Sequence, residues 1–466
     1  MTRLSAWKKV GVVFALCCVT AIASPAQTFT IVASFDGTDG AWPVASLIQG
    51  PDGNFYTTAS EEGGYCFDCG TVVRVTPAGV ITRVHAFDGA DGLSPLAGLT
   101  LTVNGNGYGT TSQGGSSGEF GTVFKILPGG RFTTIYNFVN GGGTMPHTAL
   151  TAAADGSLYG TTLDGGKYSS GTVFKITPDG VLTTLHQFNG IEGGFPLGAL
   201  IQAADGMFYG TASGEGAGTC HCGTVFRMSP SGTLTTVHIF QGSPNDGAYP
   251  EGGLVQGSDG NLYGTTSKGG TDGVGTVFKI ATDGTFTLLH SFSFSYNDGE
   301  YPMAGLIQAT DGNFYGTTFE QGPDQGGTVF SISPNGVFTV VYPFNGPRDA
   351  SQSLAALFQG TNGILYGTTT HGGTFGAGTV YSLDVGLAPF VSFVISSGKV
   401  GQTVGILGQG FTDTTSVSFN GTPAVYKVVY DTYLTATVPP GATTGFVTVV
   451  TPSGTQTSNV PFRVFQ

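Results

Sequence analysis

Short apolar runs alternate with turn-forming residues along almost the whole chain. In the stretch around residue 170, Leu158 to Thr162, Gly171 to Thr177 and Val181 to Phe188 are rich in Thr, Val, Phe and Leu, residues that suit a pleated surface. Asp155-Gly156-Ser157, a Gly-rich loop and Pro178-Asp179-Gly180 separate them, and Gly there supplies positive φ at little cost. A fourth short run opens at Ala149-Leu150. We call the four runs a to d. Beyond residue 26 the chain holds no sustained helical periodicity, so the pattern predicts β-strands throughout.

The pattern repeats. A tetrapeptide opening on Tyr occurs at Tyr56, Tyr108, Tyr159, Tyr209, Tyr263, Tyr315 and Tyr366, with spacings of 52, 51, 50, 54, 52 and 51. A second anchor, Gly-Thr-Val followed by Phe, Val or Tyr, opens at Gly70, Gly121, Gly171, Gly223, Gly275, Gly327 and Gly378. Four antiparallel strands per unit, seven times over, predict a seven-bladed β-propeller. The seventh copy lacks run d, while an unclaimed run d, Thr28 to Phe35, stands near the start. Pairing these two completes the last blade with the N-terminal strand and removes an exposed sheet edge.

Such a ring sorts its loops. The a–b and c–d turns, such as Asp52-Gly53 and Pro230-Ser231-Gly232, are short and uniform. The b–c and d–a loops vary: from each Tyr to the next Gly-Thr-Val the count is 14, 13, 12, 14, 12, 12 and 12. Variable loops on a rigid scaffold are where function concentrates, so the b–c/d–a face is the expected working face. Small residues at the start of run a, such as Ala97-Gly98 and Gly252-Gly253, fit inner strands crowded at an axis.

Composition narrows the classes. Gly is 79 of 466 residues, aromatics are 12%, and the formal net charge is −13. The apolar content opposes disorder, and the acidic balance opposes nucleic-acid binding. Arg3, Lys8 and Lys9 followed by the apolar stretch Val10 to Ile22 and by Ser24-Pro25-Ala26 read as a secretory signal. Nothing later is apolar enough to span a membrane as a helix. The expected division is therefore 1–26 signal peptide, 27–386 propeller and 387–466 a second domain, in an oxidising extracellular or periplasmic compartment.

The series Leu-Ile-Gln, Asp-Gly-Asn-Phe-Tyr-Gly-Thr-Thr, Gly-Thr-Val-Phe-Lys-Ile-Thr-Pro and Thr-Thr-Leu-His-x-Phe resembles the GloVer (Gloeo/Verruco-type) tandem repeat of secreted bacterial proteins, over roughly residues 28–386. That resemblance implies no particular activity. Residues 388–466 lack both anchors. Runs at Thr403 to Leu407, Ser416 to Phe419, Leu434 to Val438, Phe446 to Thr451 and Val460 to Val464 predict an Ig-like β-sandwich. The stretch looks like an IPT/TIG domain, and the resemblance implies a spacer or interaction module.

Three sets of residues carry candidate chemistry. Cys66 and Cys69, and Cys220 and Cys222, lie in the b–c loops of the first and fourth units. Each pair reads as a local disulfide staple, with a reduced or metal-bound state through His221 as the alternative for the second. His85, His186, His238 and His290 each stand two before the Phe of run d. Spread over separate blades they cannot cluster, and a structural role is expected. The d–a loops carry Asp36, Asp39, Asp88, Asp91, Glu192, Asp246, Asp298 and Asp349. Asp36, Asp39, Asp88, Asp91, Asp246 and Asp298 are candidate Ca²⁺ ligands, and the same side chains can cap their own turns. No catalytic constellation is legible. The expected function is non-catalytic extracellular recognition or scaffolding, with the loop face binding a glycan or protein. One alternative is a glycan-active hydrolase or lyase, which needs paired carboxylates near the axis. Another is a structural surface or matrix component. Oligomeric state is not encoded in any of these patterns.

Overall fold

A computed structural model describes residues 27–465 apart from 64, 65, 67, 140, 295–297, 347 and 348. The signal expected over 1–26 lies outside the described residues. The chain is all-β, and the repeats form seven four-stranded antiparallel sheets. The third shows the plan: Thr151–Ala152, Leu158–Thr162, Thr172–Ile176 and Leu182–Gln187 are strands a to d, hydrogen-bonded in sequence order. The first sheet comprises Ile48–Gln49, Phe55–Ala59, Thr71–Val75 and Ile81–Ala86.

The two sequence anchors meet across strands b and c. Gly160 of the Tyr-Gly-Thr-Thr motif pairs with Phe174 of Gly-Thr-Val-Phe. A Cβ on Gly160 would lie 2.6 Å from the tip of that ring, so the Gly makes room for the Phe. The first unit departs from the motif at both places at once: Thr57 stands opposite Val73. A larger residue on one strand is matched by a smaller one on its partner, which keeps the local volume near native packing.

Neighbouring sheets share apolar clusters. Val72 and Phe87 of the first pack with Leu99, Phe124 and Ile126 of the second. The same relation joins second to third, third to fourth, and onward to the last. The last sheet packs on the first, through Phe35, Tyr366 and Val380 against Leu47, Phe55 and Val73. Strand Thr28–Ser34 supplies the missing strand d, running antiparallel to Thr379–Asp384 from Thr28↔Asp384 to Ser34↔Thr379.

The C-terminal region is a sandwich of two four-stranded sheets around Val404, Ile406, Phe411, Phe419, Leu434, Val449 and Phe462. Strands Thr403–Leu407 and Ser416–Phe419 lie where the pattern puts them. The run expected at Val460 starts only at Arg463, because Pro461 has no N–H to give a ladder. The sandwich is not held off as a spacer. It docks on the a–b turns: Thr432 Oγ1 donates to the Pro51 carbonyl (2.7 Å), Tyr433 OH to Val103 (2.6 Å) and Arg463 Nη1 to Ala203 (2.9 Å), and Gln409 Nε2 donates to Thr361 Oγ1 (2.7 Å). These turns come from four different sheets. Clefts of about 420 and 680 Å³ follow this seam, on the side away from the variable loops. No helix among the described residues is long and apolar enough to cross a membrane.

Candidate recognition face

The face opposite the docked sandwich is built by the d–a and b–c loops. At the point where each d–a loop turns inward to strand a stands one residue with left-handed backbone: Trp42, Ser94, Met145, Phe195, Tyr249, Tyr301 and Gln352, with φ between +49° and +61°. Positive φ in bulky side chains is strained and persists only where surroundings hold it. Two hydrogen bonds do so. The Trp42 N–H donates to Ala377 (3.0 Å) of the preceding sheet's b–c loop, and its carbonyl accepts from the Ser60 N–H (3.1 Å). The Tyr249 N–H donates to Cys222 (2.8 Å), and its carbonyl accepts from Ser267 (3.0 Å). The remaining five are held in the same way. A Pro follows six of the seven. Its ring lies against the Gly of the preceding Gly-Thr-Val: a Cβ on Gly223 would stand 2.7 Å from Pro250 Cδ. Except at Ser94, the result is a rim of large side chains, with Trp42 39% and Tyr249 43% exposed. The recurring X-Pro step is a sequence signal for this rim, but it is a backbone signal and carries none of the charged or nucleophilic groups that mark candidate chemistry.

The cysteines serve this face. Cys66 with Cys69 and Cys220 with Cys222 have sulfurs at disulfide distance, each with Cα atoms 5.2 Å apart. Each pair stands at a carbonyl hook: Asp68, between Cys66 and Cys69, accepts from Ser94, and Cys222 itself accepts from Tyr249. His221, the alternative metal ligand, belongs to no group of three or more His, Cys, Asp or Glu suited to a metal among the described residues.

The histidines and the loop acids, separate along the sequence, pair with each other. His85 Nε2 lies 2.8 Å from Asp91, His186 2.9 Å from Glu192, His238 3.1 Å from Asp246 and His290 3.1 Å from Asp298. Three of these rings also stack on the next sheet's first strand-d aromatic, as His85 does on Phe132 at 3.6 Å. Tyr342 takes the same place against Asp349 (3.0 Å) and stacks on Phe29. Of the six candidate Ca²⁺ ligands, Asp91, Asp246 and Asp298 thus face a His. Asp36 and Asp88 accept backbone N–H groups of their own turns. Asp39 accepts from the Asp36 N–H, and Ala33 stands where its His would be. Burial, reinforced by the Asp36 charge, lifts the Asp39 carboxyl to about 6. Burial also acts upward on Asp91, but hydrogen bonds from His85 and the Asp88 N–H outweigh it and leave that carboxyl below its ordinary value.

The fifth and sixth sheets place charged side chains beside the rim, as Glu61, Asp164 and Glu215 do in the first, third and fourth. Ser267 Oγ donates to Glu251 Oε1 (2.8 Å), and Lys268 Nζ lies 3.8 Å from the Tyr301 ring centroid. Burial pushes the Glu251 and Glu300 carboxyls up, Glu320 adds to the rise at Glu300, and Lys268 opposes it at both.

Residues 2–220 and 196–424 match the Gloeobacter/Verrucomicrobia repeat, and residues 389–464 match the IPT/TIG domain. No curated protein matches the chain. Similar solved structures include a protein provisionally assigned as a gluconolactonase (13% identity, TM-score 0.40, 78% of this chain and 94% of that one). Another is the extracellular domain of a hybrid two-component system, also provisionally assigned, from B. thetaiotaomicron (13%, 0.46, 93% and 53%). A third is a provisional 6-phosphogluconolactonase from Bacteroides uniformis (17%, 0.42, 64% and 84%). Likenesses this distant carry no functional argument. The repeat match spans most of the sequence, and the chain belongs to the Gloeobacter/Verrucomicrobia repeat family, with an IPT/TIG domain at its C-terminal end.

Proposed function

We propose that residues 27–386 form a closed seven-bladed β-propeller, that 387–466 cap its turn face, and that the molecule is a non-catalytic recognition protein of the cell exterior. Its partner, a glycan or a protein, binds the loop face. The rim of left-handed residues carries this reading. Backbone strain held in place at seven equivalent positions, several of them aromatic and part-exposed, suits a surface built for contact. The docked sandwich covers the opposite face and leaves the rim open. The packing of the last sheet on the first supports closure, and two cysteine pairs at disulfide distance fit an oxidising compartment.

A glycan array probed with the purified protein, with Ca²⁺ and with chelator, tests it. Selective binding lost in Trp42→Ala is the expected result. Loss with chelator would bring the loop aspartates in as metal ligands. No binding to glycans, together with no loop-face partner in cross-linking on intact cells, would overturn the recognition reading in favour of a structural component.

A further inference from the structure

The C-terminal sandwich rests unevenly on the a–b turns. A Cβ on Gly53 of the first sheet would stand 3.1 Å from Thr432, and one on Gly206 of the fourth would stand 3.5 Å from Arg463. At Gly156 of the third sheet it would meet nothing within 4 Å. The sandwich bonds to Val103 in the second sheet and to Ala203 in the fourth, and steps over the turn between them. The two clefts below it open there, and Gly156 lines both. They adjoin as one groove with two unlike arms. The arm of about 420 Å³ is apolar, with Val103, Ala152, Ala153 and Pro178 of the repeat sheets opposite Ile395 of the sandwich. The arm of about 680 Å³ takes Lys399, Gln402 and Phe465 from the sandwich, and Asp155 and Tyr159 from the third sheet.

We propose that this groove binds one fatty carboxylate, its alkyl chain in the apolar arm and its carboxylate on Lys399 and the Gln402 amide. The site lies on the side away from the rim and is independent of recognition there. Each arm falls within the roughly 300–1,000 Å³ of small-molecule sites, which favour domain boundaries. The second arm has a net positive charge, in a chain whose formal net charge is −13. Asp155 is already matched there. Lys175 Nζ lies 2.7 Å from its Oδ2, the Tyr159 OH donates to the same oxygen at 2.9 Å, and the Ser157 N–H donates to Oδ1 at 3.0 Å. Lys399 is exposed, and among the described residues no carboxylate lies within ion-pair distance of its ammonium. Gln402 is held beside it, its Oε1 accepting from the Lys399 N–H at 2.9 Å. The Arg463 guanidinium, 4.3 Å from the Phe465 ring centroid, adds a second positive charge. A cation would be repelled by Lys399 and Arg463, and a sugar would leave its hydroxyls unpaired in the apolar arm. A single chain with a negative head matches both arms at once.

The test is isothermal titration calorimetry of the full protein at neutral pH with dodecanoate, octanoate, dodecanol and dodecyltrimethylammonium, each below its micelle-forming concentration. Dodecanoate binds at a single site. Octanoate binds at least about tenfold more weakly, because fewer methylenes leave water. Dodecanol and dodecyltrimethylammonium, which lack the negative head, are also at least about tenfold weaker. Lys399→Ala, a change of an exposed side chain, weakens dodecanoate binding about tenfold. Thr403→Trp, at an exposed strand position beside the apolar arm, fills that arm and removes binding. Lys427→Ala, exposed on the same sandwich and outside both clefts, leaves binding within about twofold. Dodecanoate binding that ignores both Lys399→Ala and Thr403→Trp would overturn the site. Equal binding of dodecyltrimethylammonium would overturn the ligand class. Silence toward dodecanoate would remove the proposal and leave the reading of the loop face untouched.

Discussion

The Thr361 N–H donates to Gln49 Oε1 at 3.1 Å, joining the last sheet to the first across 312 positions of sequence. The same Gln-to-turn bond links consecutive sheets elsewhere, as from the Ala204 N–H to Gln256 and from the Ser258 N–H to Gln308. Thr368 Oγ1 donates to the Ala45 carbonyl at 3.1 Å, as Thr58 does to Ala97 between the first and second sheets. The junction of the two ends is therefore made with the same bonds as the internal junctions.

If so, the seam is as strong as its neighbours. Phe35→Ala at the junction of the last and first sheets and Phe188→Ala at an internal junction, both fully buried, should each cost about 3–5 kcal/mol. Urea denaturation of the two variants checks this. A much smaller cost at Phe35 would show that the seam opens before the rest unfolds.

The Gly–Phe pairing of strands b and c predicts a coupled pair in the first sheet. Val73→Phe alone pushes a ring into Thr57 and should destabilise by about 1–3 kcal/mol. Thr57→Gly alone leaves a gap beside a small neighbour and also loses stability. The double variant rebuilds the arrangement of the other sheets. A double-mutant cycle by chemical denaturation should give a favourable interaction of about 1 kcal/mol or more; strict additivity would refute the volume account.

The acids of the d–a loops should respond to pH in opposite senses. Asp91 has a depressed folded value, so its contribution is present above the unfolded value near 3.9 and is lost as pH falls through the folded one. His85→Gln should therefore reduce stability at neutral pH and flatten its loss on acidification. Asp39 has a raised folded value of about 6, so its ionisation opposes folding as pH rises from about 4 through 6. Asp39→Asn should raise the melting temperature at pH 7, and that gain should shrink toward pH 4. Carbon-detected NMR titration of the two carboxyls reads the values directly.

Docking of the sandwich predicts cooperative unfolding. Tyr433→Phe removes one hydrogen bond to Val103 and should cost about 1 kcal/mol. Combined with Arg463→Ala, which removes the bonds to Ala203 and Ala204, it should split a single calorimetric transition into two. A wild-type protein that already unfolds in two steps would show that the docking adds little.

Much of this architecture is legible in the residue pattern. The period, strands b to d of each unit, the missing seventh strand d and its N-terminal replacement all follow from alternation and Gly turns, which are local properties of the backbone. Leu158–Thr162 is a strand because of the residues within it and the turns beside it. The rim is not legible, and the local rule points the wrong way: Pro biases the residue before it toward extended backbone. Trp42 and Tyr249 adopt positive φ because carbonyls of a neighbouring sheet, Ala377 and Cys222, receive their N–H groups. The His–acid pairs are half-visible, since both members recur in the sequence, yet their contact depends on how the d–a loop folds back. The place of the C-terminal sandwich is invisible, because it is decided by bonds such as Tyr433 to Val103, 330 positions apart. Sequence pattern alone determined which strands form and how many times. Contacts between distant segments decided which face is covered, which is left open, and what stands on it.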